Sequence, residues 1–583
     1  MENLSDSAGR WGIETSYFDV QGARHEASPE VLRRVIAALA KSQAEPAVYP
    51  DTGIAPQAAF QGDGRRVWIL AVQLYGVRSA RNWGHGDFTD LAALLEIVAG
   101  LGGAGVGLNP LHALFYDRSA TGSPYSPSSR LFINPLYIDV TLAPGFKPRQ
   151  IESFRAEIER LRGSELVDYL AVARLKRAAL HVACRDFFTL SDAGARADFE
   201  AFRREGGREL ALFAAFETLR GMHAGNWPEW PEEWRVPSDD LVGHLRQSHA
   251  GEFAFHEYLQ WIADRQLAHC RDVAHKNAMP IGLYFDTAIG VDGCGADAWT
   301  AQRAMLQELS VGAPPDQYNP AGQDWGLTAY NPHGLIASKF EPFRRMLRAS
   351  MRHAGAIRID HVLGLMRLFV ISRGLGAGDG VYLRCPFFAM LKVVAEESHH
   401  WKCIVIGEDL GTVPEGFRNT LASWGLWSYL VMLFERNWDG SFRPPSDYPA
   451  MAIATLNTHD LPTFTGWMSG HDLRRKRSIG VDPGEGDDER HRSREAIKAA
   501  TGGESLEGVV RFLAQTPTRL VSVSIEDILD VHDQINMPGT VEQYPNWRQR
   551  WPVMLEQLAS EPRLQRIAAV LKEAGRATRG SNP

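Results

Sequence analysis

Three short segments place acids where chemistry can be done: IRIDH at 357–361, VIGEDLG at 405–411 and NTHDLP at 457–462. Asp360, Glu408 and Asp460 each follow a short apolar run, AGAIRI, CIVIG or AIATLNTH. Runs of that length between breakers read as buried parallel strands. An acid at the end of such a strand lies at its carboxyl edge, where α/β barrels build their active sites. A single Asp at a strand end more often caps the next helix, and Glu408-Asp409 before LGTVPEGF fits that description. Three acids at three strand ends favour chemistry over capping.

Carboxyl groups in this arrangement suit cleavage of a glycosidic bond. The reaction builds positive charge at the anomeric carbon and needs a proton on a poor leaving group. A retaining enzyme uses two carboxyl groups ~5–5.5 Å apart, one as nucleophile and one as general acid/base. Arg358 precedes Asp360 by two residues, so both side chains share one strand face. A guanidinium there favours an ionised, nucleophilic Asp360. Glu408, after an apolar strand and beside Asp409, has two reasons for a raised pKa, as a general acid requires. His459 is positioned to hydrogen-bond a substrate hydroxyl while Asp460 supports developing charge.

The elements that must hold these residues are eight β-branched runs, at 67–75, 104–111, 280–286, 356–360, 403–409, 430–434, 452–460 and 521–529. Helical periodicity lies between most of them, as in FTDLAALLEIVAGL and FFAMLKVVAEESHHW. Strand alternating with helix predicts βαβ units, and eight such strands predict a closed (β/α)8 TIM barrel. GLGGAG at 100–105 precedes its strand, so it does not form a dinucleotide-binding turn.

The domain layout expected is an N-terminal helical extension at 1–62, barrel strands 1–2 at 63–111, and an inserted, mainly helical subdomain at 112–279. Residues 280–583 complete the barrel, with a charged excursion at 471–507.

Net charge is −8, which leaves no basic footprint for nucleic acid. No apolar run approaches the ~20 residues of a membrane helix, and MENLSDSAGRWG has no signal-peptide pattern. Five scattered cysteines fit reduced thiols, so a cytoplasmic location is expected. The 16 Trp and 15 Tyr exceed what a core needs, and flat aromatic faces suit the apolar faces of sugar rings. More than half of these must nevertheless be core.

In their order, RIDH, GEDLG and THDLP resemble the catalytic motifs of 4-α-glucanotransferases of the amylomaltase type, glycoside hydrolase family 77. The resemblance runs from about Trp68 to Trp551 through NWGHGDFTDL, GLNPLHALF, SPYSPSSRLFINPLYIDV, GAPPDQYNPAGQDWGLTAYNP and INMPGTVEQYPNWR. It implies Asp360 as nucleophile, Glu408 as general acid/base and Asp460 as transition-state stabiliser. Arg358 and His459 match residues that hold and assist these acids. Asp316, Tyr318, Gln323 and Trp325 match a loop that folds over the donor and acceptor subsites. Tyr125 resembles a sugar-stacking tyrosine, Asn536 a substrate contact, and Asp286 an acid near the active site.

The sequence departs from the family pattern at Phe285, at Thr328-Ala329 and at Phe369-Val370, where relatives usually carry two tryptophans. The resemblance implies transfer of α-1,4-glucan segments among maltodextrins, glycogen or starch fragments and glucose. No cofactor is needed, since the acids do the proton work. A metal is not expected, since a divalent ion would quench the nucleophile. The alternative is an α-1,4-glucan hydrolase using the same three acids.

Overall fold

The computed structural model describes residues 3–18, 22–47, 49, 53–55, 57–117, 122–190, 193–315, 321–411 and 413–578. Its centre is a closed barrel of eight strands: β1 (Val67–Val72), β2 (Gly105–Leu108), β3 (Gly282–Thr287), β4 (Ala356–Ile359), β5 (Ile404–Gly407), β6 (Trp427–Val431), β7 (Ala452–Thr455) and β8 (Leu520–Ser524). Neighbours in sequence are parallel neighbours in space, and β8 closes on β1. This is the (β/α)8 barrel that the strand count predicts.

Most strands are shorter than expected, because the ladder ends where the chain turns out onto the rim. Beyond Thr455 the Asn457 side-chain amide donates to Pro462 O (2.9 Å), making a turn rather than more strand. Asp460 therefore lies in a loop five residues past β7, not at the strand end itself. After β8, Ser524 Oγ accepts from Glu526 N (3.2 Å) and starts the short helix Ile525–Ile528. β6 begins three residues earlier than its apolar run suggests, since Ser428 and Tyr429 interrupt the run without interrupting the ladder.

Side chains alternate in and out of the barrel wall. Val67, Ile69, Ile281, Tyr284, Ala356, Ile404, Ile406, Trp427, Ile453 and Leu520 form an apolar cluster. Two residues further along the same inward rows come Asp286, Arg358, Glu408 and Tyr429. The barrel interior thus changes from apolar to ionic at its carboxyl end.

Between β2 and β3 stand a small hairpin (His112–Ala113 with Ser129–Ile133) and the helices Tyr169–Leu190, Ala193–Met222 and Ala250–Lys276. Buried polar contacts brace this region and bind it to the barrel. Within it, Lys176 Nζ donates to Leu136 O (2.6 Å) and Ile138 O (2.9 Å). Arg81 gathers Asp87, Asp90 (2.9 Å) and Asp139 (2.7 Å).

Residues outside the eight expected strands form a second sheet. Its five antiparallel strands run in the order Val381–Arg384, Arg367–Ser372, Leu309–Ala313, Gln323–Thr328 and Val291–Asp292. The strands come from the connections after β3 and after β4, so their pairing has no local signature.

The N-terminal segment is not wholly helical. Helices Leu4–Arg10 and Pro29–Ala40 flank the hairpin Ser16–Phe18/Arg24–Glu26. Between them, Glu14 N donates to Tyr382 O and Arg384 N to Gly12 O, both at 2.8 Å, and cover the edge of the second sheet.

The charge-dense stretch 471–507 contains helices His471–Ser478 and Asp487–Thr501. It is more than a solvated excursion, since buried Arg490 is clamped by Asp472 and Glu485 at 2.8 Å. Among the described residues, no helix is long and apolar enough to cross a membrane.

Candidate active site

Arg358 is the hub of the ionic layer. On β4 it is the register partner of Asp286 on β3, and Nη1 donates to both Asp286 oxygens (2.8 and 2.7 Å). The same nitrogen lies 2.9 Å from Asp360, and Nη2 lies 3.8 Å from Glu408. The guanidinium also sits 5.3 Å from the Tyr429 ring centroid. Burial opposes its charge, but Asp286 and Asp360 outweigh burial and keep Arg358 protonated. The cation among these three carboxylates is thus supplied by the chain itself.

Ile359 of β4 pairs with Gly407 of β5, so Asp360 and Glu408 leave adjacent strands at the same level. Neighbouring strands lie ~4.8 Å apart, which brings the two acids side by side. Burial pushes the Asp360 carboxyl up to about 6; Arg358 opposes this, and Asp286 and Glu408 add to it. Arg358 alone therefore does not hold Asp360 in the ordinary carboxylate range.

Burial also raises the pKa of Glu408, against the pull of Arg358 and of two backbone amides. Those amides orient its carboxyl: His361 N donates to Oε2 (2.8 Å) and Leu410 N to Oε1 (2.9 Å). His361 adopts φ 45°, in the left-handed region, so the chain turns immediately after the amide that binds Glu408. The capping role open to Glu408-Asp409 is not taken up, since the next helix starts after Gly416. Asp409 instead accepts from Arg418 Nε (2.8 Å) and Tyr429 N (3.3 Å).

The third acid stands in the open part of the cleft. Asp460 has 46% of its side chain exposed. It accepts from the Asn536 side-chain amide at 2.6 Å and lies 3.4 Å from His459 Nε2. The cleft walls around it work against its charge, but His459 and Asn536 hold the carboxyl below the usual range. For His459, burial opposes protonation and Asp460 outweighs it, so its pKa is raised.

A cationic His459 fits its hydrogen bonds at both ends. Nδ1 lies 3.2 Å from the Tyr125 hydroxyl, which itself donates to Asp286 at 2.6 Å. A relay thus runs from Asp460 through His459 and Tyr125 to Asp286 and Arg358. The Tyr125 ring stacks on His459 (4.6 Å between centroids) and leans on Trp547 (5.5 Å), so it does not present a free face on the His459 side.

Gln323 and Trp325 lie on one arm of a β-hairpin, Leu309–Ala313 with Gln323–Thr328, where the family resemblance implies a loop over the subsites. Trp325 Nε1 donates to Gln323 Oε1 (3.2 Å), and its ring meets His361 edge-on at 5.2 Å. The hairpin arm is thus in contact with the residue after Asp360. Asp316 and Tyr318 lie outside the described residues.

Three participants escaped the sequence reasoning. His361 positions Glu408 through its amide, a role no side-chain pattern reveals. Trp547 backs both Tyr125 and His459. Tyr429 lies under Arg358, and its alternation with Trp427 was the available signal.

The layout is a carboxylate cluster for acid/base and covalent work, with a half-open wall of polar groups opposite. A family model described as 4-alpha-glucanotransferase matches residues 72–556. A 4-alpha-glucanotransferase of Mycobacterium tuberculosis is 36% identical over 552 residues, spanning 88% of this chain and 75% of its own length. One from Haemophilus influenzae is 35% identical over 540 residues, spanning 85% and 77%. The amylomaltase of Corynebacterium glutamicum shares the fold with a TM-score of 0.84 at 26% identity, covering 97% of this chain and 99% of that one. Sequence, barrel and acid cluster agree, and the chain belongs to the 4-alpha-glucanotransferase family of enzymes.

Proposed function

We propose that the chain transfers α-1,4-glucan segments between maltodextrins by double displacement, with glucose, glycogen or starch fragments also serving as partners. Asp360 attacks the anomeric carbon while Glu408 gives its proton to the departing 4-oxygen. The reducing-end fragment leaves, and a glycosyl ester on Asp360 remains. Glu408, now ionised, takes the proton from the 4-hydroxyl of an incoming glucan. That oxygen displaces Asp360, and two inversions give net retention.

Asp460 stabilises the cationic transition state from the cleft side. Arg358, Asp286, His459, Tyr125 and Asn536 position the acids and control their charge. The observation that carries this reading is Arg358, which joins Asp286, Asp360 and Glu408 at register-matched strand ends.

Transfer beats hydrolysis when a positioned sugar hydroxyl outcompetes water at the glycosyl ester. Trp325 against His361 supports a water-excluding role for the hairpin arm. We extend that role to Asp316 and Tyr318 from the family resemblance. The few, widely scattered cysteines support a cytoplasmic, reducing location.

Product analysis from maltotriose tests the proposal. The parent enzyme should give glucose together with longer maltodextrins, and Asp360→Asn should lower the rate by roughly 10³-fold or more. Comparable rates in the two would overturn the assignment of the nucleophile. Shortening without elongation in the parent would overturn transfer.

A further inference from the structure

Of the sixteen tryptophans, fifteen are buried or half-buried, while Trp438 is 99% exposed. A single exposed apolar side chain needs no explanation by itself. Two further observations set this one apart.

First, its turn is fixed. Asn437 N donates to Ser441 O (2.8 Å) and Gly440 N to Asn437 O (3.0 Å). Ser441 donates from both its backbone N (2.9 Å) and its hydroxyl (2.6 Å) to Asp439 Oδ1. At the base, Arg443 pairs with Glu435 (3.3 Å), and the Arg436 guanidinium covers Phe442 at 4.3 Å. The backbone that carries the indole therefore needs little further ordering when a ligand binds.

Second, the turn rises from the catalytic end of the barrel. It follows β6, which lies between the strands leading to Glu408 and Asp460. Leu433 N donates to Leu456 O at the exit of β7 (3.4 Å). Glu435 is near enough to Asp409, the neighbour of Glu408, for that charge to act on it. Three residues of chain span at most about 10 Å, so Trp438 stays close to this rim.

We propose that the Trp438 turn is an outer glucan-binding platform, where the indole stacks on a sugar ring of an α-glucan extending beyond the acid cluster. The idea rests on the transfer reaction proposed above. An indole face offers a large apolar area, and the Asn437 and Asp439 side chains beside it are exposed polar partners for sugar hydroxyls. Long glucans would gain this contact, whereas a trisaccharide bound at the acids would not reach it.

The test compares kcat/KM for amylose with kcat/KM for maltotriose in the parent, Trp438→Ala and Trp438→Phe. The amylose-to-maltotriose ratio should fall about tenfold in Trp438→Ala, as expected for one lost apolar contact, and stay within about threefold of the parent in Trp438→Phe. An unchanged ratio in Trp438→Ala, including a parallel fall on both substrates, overturns the platform. An equal loss in Trp438→Phe overturns stacking as its basis. A parent that forms no transfer products from maltotriose overturns the underlying reaction, a separate result from an unchanged ratio in a parent that does.

Discussion

Arg358 is asked to sit among three carboxylates at once, and that arrangement sets the acid–base behaviour of the site. It lies within 2.9 Å of Asp286 and Asp360 and 3.8 Å of Glu408. One guanidinium cannot neutralise three charges, so burial wins at Asp360 and moves its carboxyl up to about 6. Asp360 is therefore ionised at neutral pH but takes a proton below about pH 6, where a nucleophile is lost. We expect kcat/KM for maltotriose to fall as pH drops through 6, approaching tenfold per unit below it. An acid limb confined to the ordinary carboxylate range near pH 4 would contradict the burial of Asp360. The raised pKa of Glu408 acts on the opposite limb, keeping its proton available for the leaving group to higher pH. The types and order of these acids are visible in RIDH, GEDLG and THDLP, but their charge states depend on distances the sequence does not contain.

At the scale of elements, the second sheet alters how the loop over the site should be understood. The segment 312–327 has the prolines and glycines of a turn-rich loop, yet its flanks pair as strands with a register irregularity between Asp324 and Leu327. The sheet is anchored by Arg367–Ser372, which pairs with Leu309–Ala313 on one side and Val381–Arg384 on the other. Trp325 is thus mounted on a braced arm, and its contact with His361 is a property of the sheet. Trp325→Ala should raise the ratio of glucan hydrolysed to glucan transferred by several-fold, as water gains access to the glycosyl ester. Reducing-sugar release measured against elongation of labelled maltodextrin checks this, and an unchanged ratio would remove Trp325 from the water barrier. Sequence periodicity missed the sheet because its strands are short and the pairing that joins its two halves, Arg367–Ser372 with Leu309–Ala313, spans barrel strand β4.

For the whole molecule, the question is how the helical region between β2 and β3 is held to the barrel. Arg81 joins Asp87 and Asp90, at the start of the barrel helix Phe88–Gly100, to Asp139 of the inserted region. All three carboxylates are buried. Arg81→Ala leaves them without their shared cation, a change that costs about 3 kcal/mol in buried settings. The loss should appear as a lower unfolding temperature and faster hydrogen exchange in Tyr169–Leu190, with Phe387–Trp401, which lies between β4 and β5, less affected. Uniform protection in both helices would show that Arg81 does not couple the two regions.

The sequence by itself determined the barrel and the identity of its acids. Eight buried strands alternating with helices have few ways to close, and an acid one residue past Ile359 or Gly407 must leave the barrel at its carboxyl rim. Both are local consequences of hydrophobic period and strand length. Only the tertiary structure decided what those acids experience. Arg358 reaches Glu408 because β4 and β5 are adjacent, and His459 meets Tyr125 across 334 residues. Trp438 is exposed because none of the described elements covers its turn. Charge state, water exclusion and reach depend on distances between segments remote in the chain, and only packing sets those distances.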